Sequence, residues 1–282
     1  MFTKDTLGGK VVIVTGGGTG LGLSMARAAA GVGARLVLAA RNVERVQAAA
    51  EELRTSGAQA IGVACDVRDA MSVREMVASA VREFGQVDAL VNNAAGNFLC
   101  CAEDLSPNGF DAVVKIVLNG TVNCTLEVGR HLIERKAPGT VLSITTTYAW
   151  MGSAFVLPSA CAKAGVLAMT RSLAVEWACY GIRLNSIAPG PFPTEGAWKA
   201  LMPMPEMEED ARKRIPAGRF GKHEELANLA VFLLSDMAAY QTGDCVTIDG
   251  GEWLANGGEF NRFIEHPREQ VRGMLRGMRG KG

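Results

Sequence analysis

Lys10-Val11-Val12-Ile13-Val14-Thr15 runs directly into Gly16-Gly17-Gly18-Thr19-Gly20-Leu21-Gly22, and an apolar-periodic segment continues to about Val32. The first six residues form a short, largely β-branched apolar run, as in a strand buried on both faces. The glycines allow a tight turn and a close approach of backbone to a ligand. The segment beyond them has helical spacing. Strand, glycine turn and helix in that order make the phosphate-binding end of a dinucleotide fold, where a pyrophosphate sits on the amides and positive dipole end of the helix. This turn assigns Gly16, Gly18, Thr19, Gly20, Leu21 and Gly22 to the cofactor.

The alternation continues along the chain. Further strands are expected at Arg35–Ala40, Ala60–Ala64, Val87–Val91, Thr140–Thr145, Arg183–Ile187 and Cys245–Ile248, with helices near 43–56, 71–84, 109–135, 158–180 and 222–235. Alternating β and α units imply a parallel sheet with right-handed crossovers and helices on both faces. The expected fold is a single-domain, Rossmann-like α/β structure, a doubly wound parallel sheet of about seven strands. Residues 1–261 form the domain, with a proline-rich, irregular substrate loop at about 191–216. Residues 262–282 form a basic C-terminal tail, with five Lys and Arg against two Glu from 263 onward.

Composition narrows the function classes. The 282 residues carry 29 basic and 29 acidic side chains, and 48% are hydrophobic. That content excludes a disordered chain, and the charge balance argues against general adhesion to nucleic acid or an anionic membrane. The seven cysteines are odd in number and form no C-x-x-C pair, as suits reduced thiols. The three histidines lack metal-ligand spacing, so no metal site is expected. No signal-type leader or membrane-length apolar run stands out, and the end Arg279-Gly280-Lys281-Gly282 is not a peroxisomal S-K-L address. A cytoplasmic location is expected. At the end of the second strand, where an NAD-selective fold carries a carboxylate, the chain has Ala40-Arg41. An arginine pairs with a 2′-phosphate that a carboxylate would repel, which points to NADP(H).

Together these motifs resemble the short-chain dehydrogenase/reductase family over nearly the whole chain. The matches are the glycine turn, Asp66-Val67, Asn92-Asn93-Ala94-Ala95-Gly96, Asn119, Asn185 with Pro189-Gly190, and Asp249-Gly250-Gly251. The resemblance implies that Asp66 and Val67 lie at the adenine, with Asn93, Ala95, Gly96, Pro189, Gly190, Pro191 and Phe192 also at the cofactor. It also implies that Lys163 holds the nicotinamide ribose and that the chains assemble as a homotetramer.

One departure redirects the chemistry. The family's catalytic tyrosine position, four residues before Lys163, falls on Ser159, and its serine position, thirteen residues earlier, on Thr146. A serine hydroxyl has a far higher pKa and a shorter reach than a phenol, and cannot take over its proton exchange with a carbonyl. Tyr148 follows the fifth strand, and Asn97 follows the fourth. A Tyr–Asn pair offers two neutral hydrogen bonds to one developing oxyanion. This combination is similar to the 2,4-dienoyl-CoA reductase group, which implies an acyl-CoA thioester substrate. Implied catalytic residues are Tyr148, Asn97, Lys163, Ser159 and Thr146. Implied substrate contacts are Arg68, Asn97, Phe98, Ser106 and Tyr148. The alternatives are a reductase of an enoyl-CoA or another conjugated carbonyl, and a catalytically inactive NADP-binding scaffold or sensor.

Overall fold

The computed structural model describes residues 2–194, 205–257 and 260–279. Seven parallel strands form one sheet: β1 Val11–Thr15, β2 Arg35–Ala40, β3 Ala60–Ala64, β4 Ala89–Asn92, β5 Gly139–Ile144, β6 Ile182–Pro189 and β7 Cys245–Ile248. Their spatial order is β3-β2-β1-β4-β5-β6-β7. Order reverses between β1 and β4, so the chain winds first to one side and then to the other. Crevices at such switch points, at the carboxyl ends of the strands, are where ligands of these folds bind.

The helices are α1 Gly20–Gly31, α2 Val43–Thr55, α3 Ala70–Phe84, α4 Pro107–Val114, α5 Gly120–Glu134, α6 Tyr148–Met151, α7 Leu157–Glu176, α8 Pro205–Arg214, α9 His223–Leu234, α10 Glu252–Gly257 and α11 Arg268–Arg279. Side chains of β1 alternate between two cores. Val12 and Val14 pack with Met25 of α1, Leu53 of α2 and Val231 of α9. Val11 and Ile13 pack on the other face with Met76 of α3 and Leu132 of α5. Because both faces are covered, the strands are apolar throughout, as their sequences require.

Three local features differ from the expectations. The stretch expected as one helix near 109–135 is α4 and α5 joined by a π-helical turn at Lys115–Asn119. The expected loop at 191–216 contains α8, whose first turn carries Glu206 and Glu208 and whose last carries Arg212, Lys213 and Arg214. Those charges complement the helix dipole. The remainder of that loop, 195–204, lies outside the described residues. The basic tail includes α11, with Val271 buried and Met274, Leu275 and Met278 exposed.

Helix α2 lies against β3 so closely that a methyl group on Gly62 would sit 2.5 Å from the backbone of Val46. Overpacking of this kind costs ~1–3 kcal/mol. Gly62→Ala is therefore expected to lower the urea midpoint of unfolding. Gly31→Ala, where a methyl meets nothing within 4 Å, is expected to leave it unchanged or raise it. Equal midpoints for wild type and Gly62→Ala would contradict this packing.

Candidate active site

A cleft of about 800 Å³ opens at the carboxyl ends of β1 to β6. Gly16 follows β1 with φ +63°, and Gly20 begins α1 with φ +54°, conformations that favour glycine. The turn is packed as well as bent. A methyl on Gly22 would lie 2.4 Å from Gly16 O, and one on Gly18 would lie 3.1 Å from Val46 Cγ1. Gly16, Thr19, Gly20 and Leu21 line the cleft, whereas Gly18 and Gly22 are not among its lining residues and let the turn close.

The turn is bound to the end of β4. Asn93 donates its amide to Thr15 O at 3.1 Å and Gly16 O at 3.2 Å. Thr15 Oγ1 in turn accepts the backbone N–H groups of Asn93 and Ala94, at 3.0 and 3.1 Å. Asn93 thus serves as a brace as well as a lining residue, beside Ala95. Gly96 is not among the lining residues.

Two cationic side chains stand at one end of the cleft. Arg41 and Arg45 both line it. Neither side chain makes a hydrogen bond or ion pair among the described residues. Asp66 and Val67 line the same region, with buried Cys65. The neighbouring Arg68 holds the Asp66 carboxyl below its ordinary range, chiefly by hydrogen bonding, and Arg41 adds to this through its charge. Burial pushes the Cys65 thiol up to about 11, which leaves it a poor nucleophile. Glycines where a Cβ would intrude, a helix N-terminus and two unpaired guanidinium groups fit a phosphorylated dinucleotide.

Helix α7 carries Ser159 and Lys163 on one face, both buried. Lys163 Nζ donates to Ile144 O at the end of β5. Burial pushes this ammonium down from 10.5 to about 8. Tyr148, at the start of α6, reaches Ser159: the two hydroxyl oxygens lie 3.0 Å apart. A phenol introduced from α6 is therefore bonded to the residue that stands at the family's tyrosine position.

Asn97 belongs to the loop after β4. Its Oδ1 accepts the Phe98 N–H at 2.9 Å, and its Nδ2 has no hydrogen-bond partner among the described residues. That loop is tied to the segment after α6 by Cys100 N donating to Phe155 O at 2.9 Å. Phe155 has φ +65°, a conformation that costs a bulky residue ~1–3 kcal/mol and that clusters at functional sites. Phe98, Trp150, Phe155 and Leu157 are exposed in these two segments. Trp150 packs edge-on against Trp253 of α10, with ring centroids 5.7 Å apart.

Several expected site residues have local partners or lie outside the cleft lining. Arg68 is exposed and engages Asp66 through Nε at 2.9 Å and Nη2 at 2.5 Å, so its guanidinium is already committed. Ser106 Oγ accepts the Gly109 N–H at 3.1 Å and caps α4. Pro191 and Phe192 line a separate cavity of about 150 Å³ with Ile215 and Ile248. Pro189 and Gly190 are also absent from the main cleft lining. Thr146 makes no side-chain hydrogen bond among the described residues, and Thr145 lines the cleft instead. Arg45, Thr145 and Thr194 went unread as lining residues. Arg45 lies in the first turn of α2, just beyond Arg41 at the β2 exit, and that nearness could have revealed it.

The comparisons agree with this geometry. The family described as enoyl-(acyl carrier protein) reductase matches residues 16–252. A Bacillus subtilis (strain 168) protein named probable 2,4-dienoyl-CoA reductase, (2E)-enoyl-CoA-producing, is 47% identical over 87% of this chain and 97% of its own. A Caenorhabditis elegans protein named probable 2,4-dienoyl-CoA reductase 3 is 42% identical over 98% and 92%. Among solved structures, a short chain dehydrogenase from Bacillus anthracis superposes with a TM-score of 0.80 at 44% identity, covering 87% of this chain and 97% of that one. A gluconate 5-dehydrogenase from Burkholderia cenocepacia, solved with NADP and tartrate, gives 0.84 at 32% identity, over 89% and 98%. With its switch-point cleft, glycine turn and α7 lysine, the chain belongs to the short-chain dehydrogenase/reductase family and is an oxidoreductase.

Proposed function

We propose that the protein reduces a conjugated dienoyl-CoA thioester at the expense of NADPH. The observation that carries this reading is the 3.0 Å contact between Tyr148 and Ser159. It keeps a phenol beside the site while removing it from the position where the family's alcohol chemistry uses one. The 2,4-dienoyl-CoA reductase names of the relatives support the substrate class. Arg41 and Arg45 support NADPH, since together they offer two guanidinium groups to a 2′-phosphate.

When bound, the nicotinamide would supply a hydride to the δ carbon of the substrate, whose conjugated electrons move onto the thioester oxygen, and a proton from water or a nearby acid would then be added to carbon to complete the reduction. Tyr148 Oη–H and Asn97 Nδ2–H donate to that oxygen and stabilise the dienolate charge. Ser159, donating to the phenol oxygen, leaves the Tyr148 proton for the substrate. Lys163 holds the nicotinamide ribose, and its ammonium steadies the network around Tyr148. The exposed apolar residues Phe98, Phe155 and Leu157 give an acyl chain a surface on which to lie. The family description, enoyl-(acyl carrier protein) reductase, favours a second reading in which the same donors serve hydride addition to an enoyl thioester.

A cytoplasmic setting and a homotetramer belong to the same proposal. All seven cysteines are free, as in a reducing compartment. No described helix is long and apolar enough to cross a membrane.

Removing one oxyanion donor costs ~100–1,000-fold in turnover. Tyr148→Phe and Asn97→Ala are expected to lose kcat on that order with a dienoyl-CoA while still binding NADPH. Near-wild-type turnover by either variant would remove the pair from the mechanism. A second prediction concerns Lys163. Its folded value of about 8 lies below the ordinary 10.5, so the folded chain releases this proton first and the charged form is lost as pH rises through 8. NADPH affinity is expected to weaken above that pH in the wild type and to lack this limb in Lys163→Arg. The same limb in the variant would assign the titration to another group.

A further inference from the structure

Where the chain leaves β6 for the cleft, it is pinned by a histidine that the chemistry above does not use. Gly190 N donates to Ile248 O at 2.9 Å, and Gly221 N to Pro191 O at 3.0 Å. Phe192 is buried against Gly221, where a methyl would lie 2.3 Å from its ring. His223, the first residue of α9, then takes the next carbonyl: its Nε2 lies 2.7 Å from Pro193 O. A carbonyl only accepts, so Nε2 carries a hydrogen.

The other side of the ring reaches α1. His223 Nδ1 lies 2.9 Å from Ser24 Oγ, and Ser24 Oγ lies 3.0 Å from Gly20 O. The imidazole therefore bridges the Pro193 carbonyl and the Ser24 hydroxyl, which also lies within reach of the Gly20 carbonyl; with the hydrogen on Nε2 alone, the one Ser24 hydrogen serves either Nδ1 or Gly20 O. The segments so joined meet again at the cleft. Gly20 and Thr194 both line it, and a Cβ on Gly20 would sit only 3.4 Å from Thr194 Cγ2. Neither His223 nor Ser24 is among the lining residues.

We infer that His223 is a positioning residue for the dinucleotide: by bridging Pro193 and Ser24 it sets the spacing between the β6 exit and the glycine turn, and with it the affinity for NADP(H). A ring with nitrogens on opposite sides meets polar groups on both sides of this gap, which an apolar side chain does not. Ser24 places the other end of the span on α1, which begins at Gly20 of the turn. The inference rests on reading the cleft as a dinucleotide site and is independent of the dienoyl substrate.

The test is a fluorescence titration with NADPH alone, on wild type, His223→Ala, His223→Gln and Ser24→Ala, beside thermal unfolding and steady-state kinetics with a dienoyl-CoA. His223→Ala is expected to raise the NADPH Kd ~10-fold, equivalent to about 1.4 kcal/mol. It is expected to raise the NADPH KM alike, with kcat held within about twofold, as for lost uniform binding. His223→Gln keeps an amide donor for Pro193 O and is expected to recover most of the affinity, and Ser24→Ala to fall between. An unchanged Kd in His223→Ala overturns the inference. So does a loss that Gln fails to rescue while the melting temperature falls alike in both variants, which marks a packing role. If His223→Ala does not fold, an unchanged Kd in Ser24→Ala overturns it. Wild type that binds NADPH but leaves a dienoyl-CoA unreduced ends the proposed reaction and not this inference.

Discussion

The Asn93 side-chain amide crosses the gap between the ends of β1 and β4 and hydrogen-bonds the carbonyls of Thr15 and Gly16. The rest of the site depends on that junction. At a switch point, the connections from neighbouring strands depart to opposite faces, leaving a crevice whose backbone groups lose the next strand partner. Polar groups buried there must be paired from elsewhere. Asn93 and the Thr15 hydroxyl supply the partners, which holds the glycine turn at one wall of the cleft. The turn then presents the N-terminus of α1 to a phosphate, and the loop after β4 carries Asn97 outward from the same anchor.

From this wall the chemistry follows by position. Lys163 faces the cleft from α7, fixed to the end of β5, with its charge made costly by burial. Ser159, one turn earlier, contributes a hydroxyl too short and too weakly acidic for carbonyl proton exchange. Its bond to Tyr148 converts it into a support for a phenol that arrives from another element. The Cys100–Phe155 backbone bond ties the segments bearing Asn97 and Tyr148. In the proposed reaction these two neutral donors would serve one oxygen, on which charge collects without conversion to an alcohol.

The sheet was largely legible because its signals are local. β2, β3 and β7 fall on the expected residues, since each is an apolar run bounded by turn residues. Tyr148 and Asn97 stand out as candidates only through family resemblance, because no spacing links residues from separate strand ends. Other features depend on partners that the sequence alone does not display. Arg68 and Ser106 look available in sequence, yet one pairs with Asp66 and the other caps α4. Prolines around 191–216 masked α8, although its acidic start and basic end obey the dipole rule. Nothing local marks the π turn at Lys115–Asn119 between α4 and α5. Ser24 and His223 are 199 positions apart, and only the pairing of α1 with α9 brings them together.

The carbon that receives the hydride distinguishes dienoyl reduction from its alternatives. Hexa-2,4-dienoyl-CoA incubated with NADPH deuterated at both C4 positions, followed by NMR of the product, locates it directly. Reduction of the conjugated system with Tyr148 and Asn97 on the thioester oxygen predicts deuterium at C5 of an enoyl-CoA. Deuterium at C3, deuterium at C1, or a product without deuterium would contradict it.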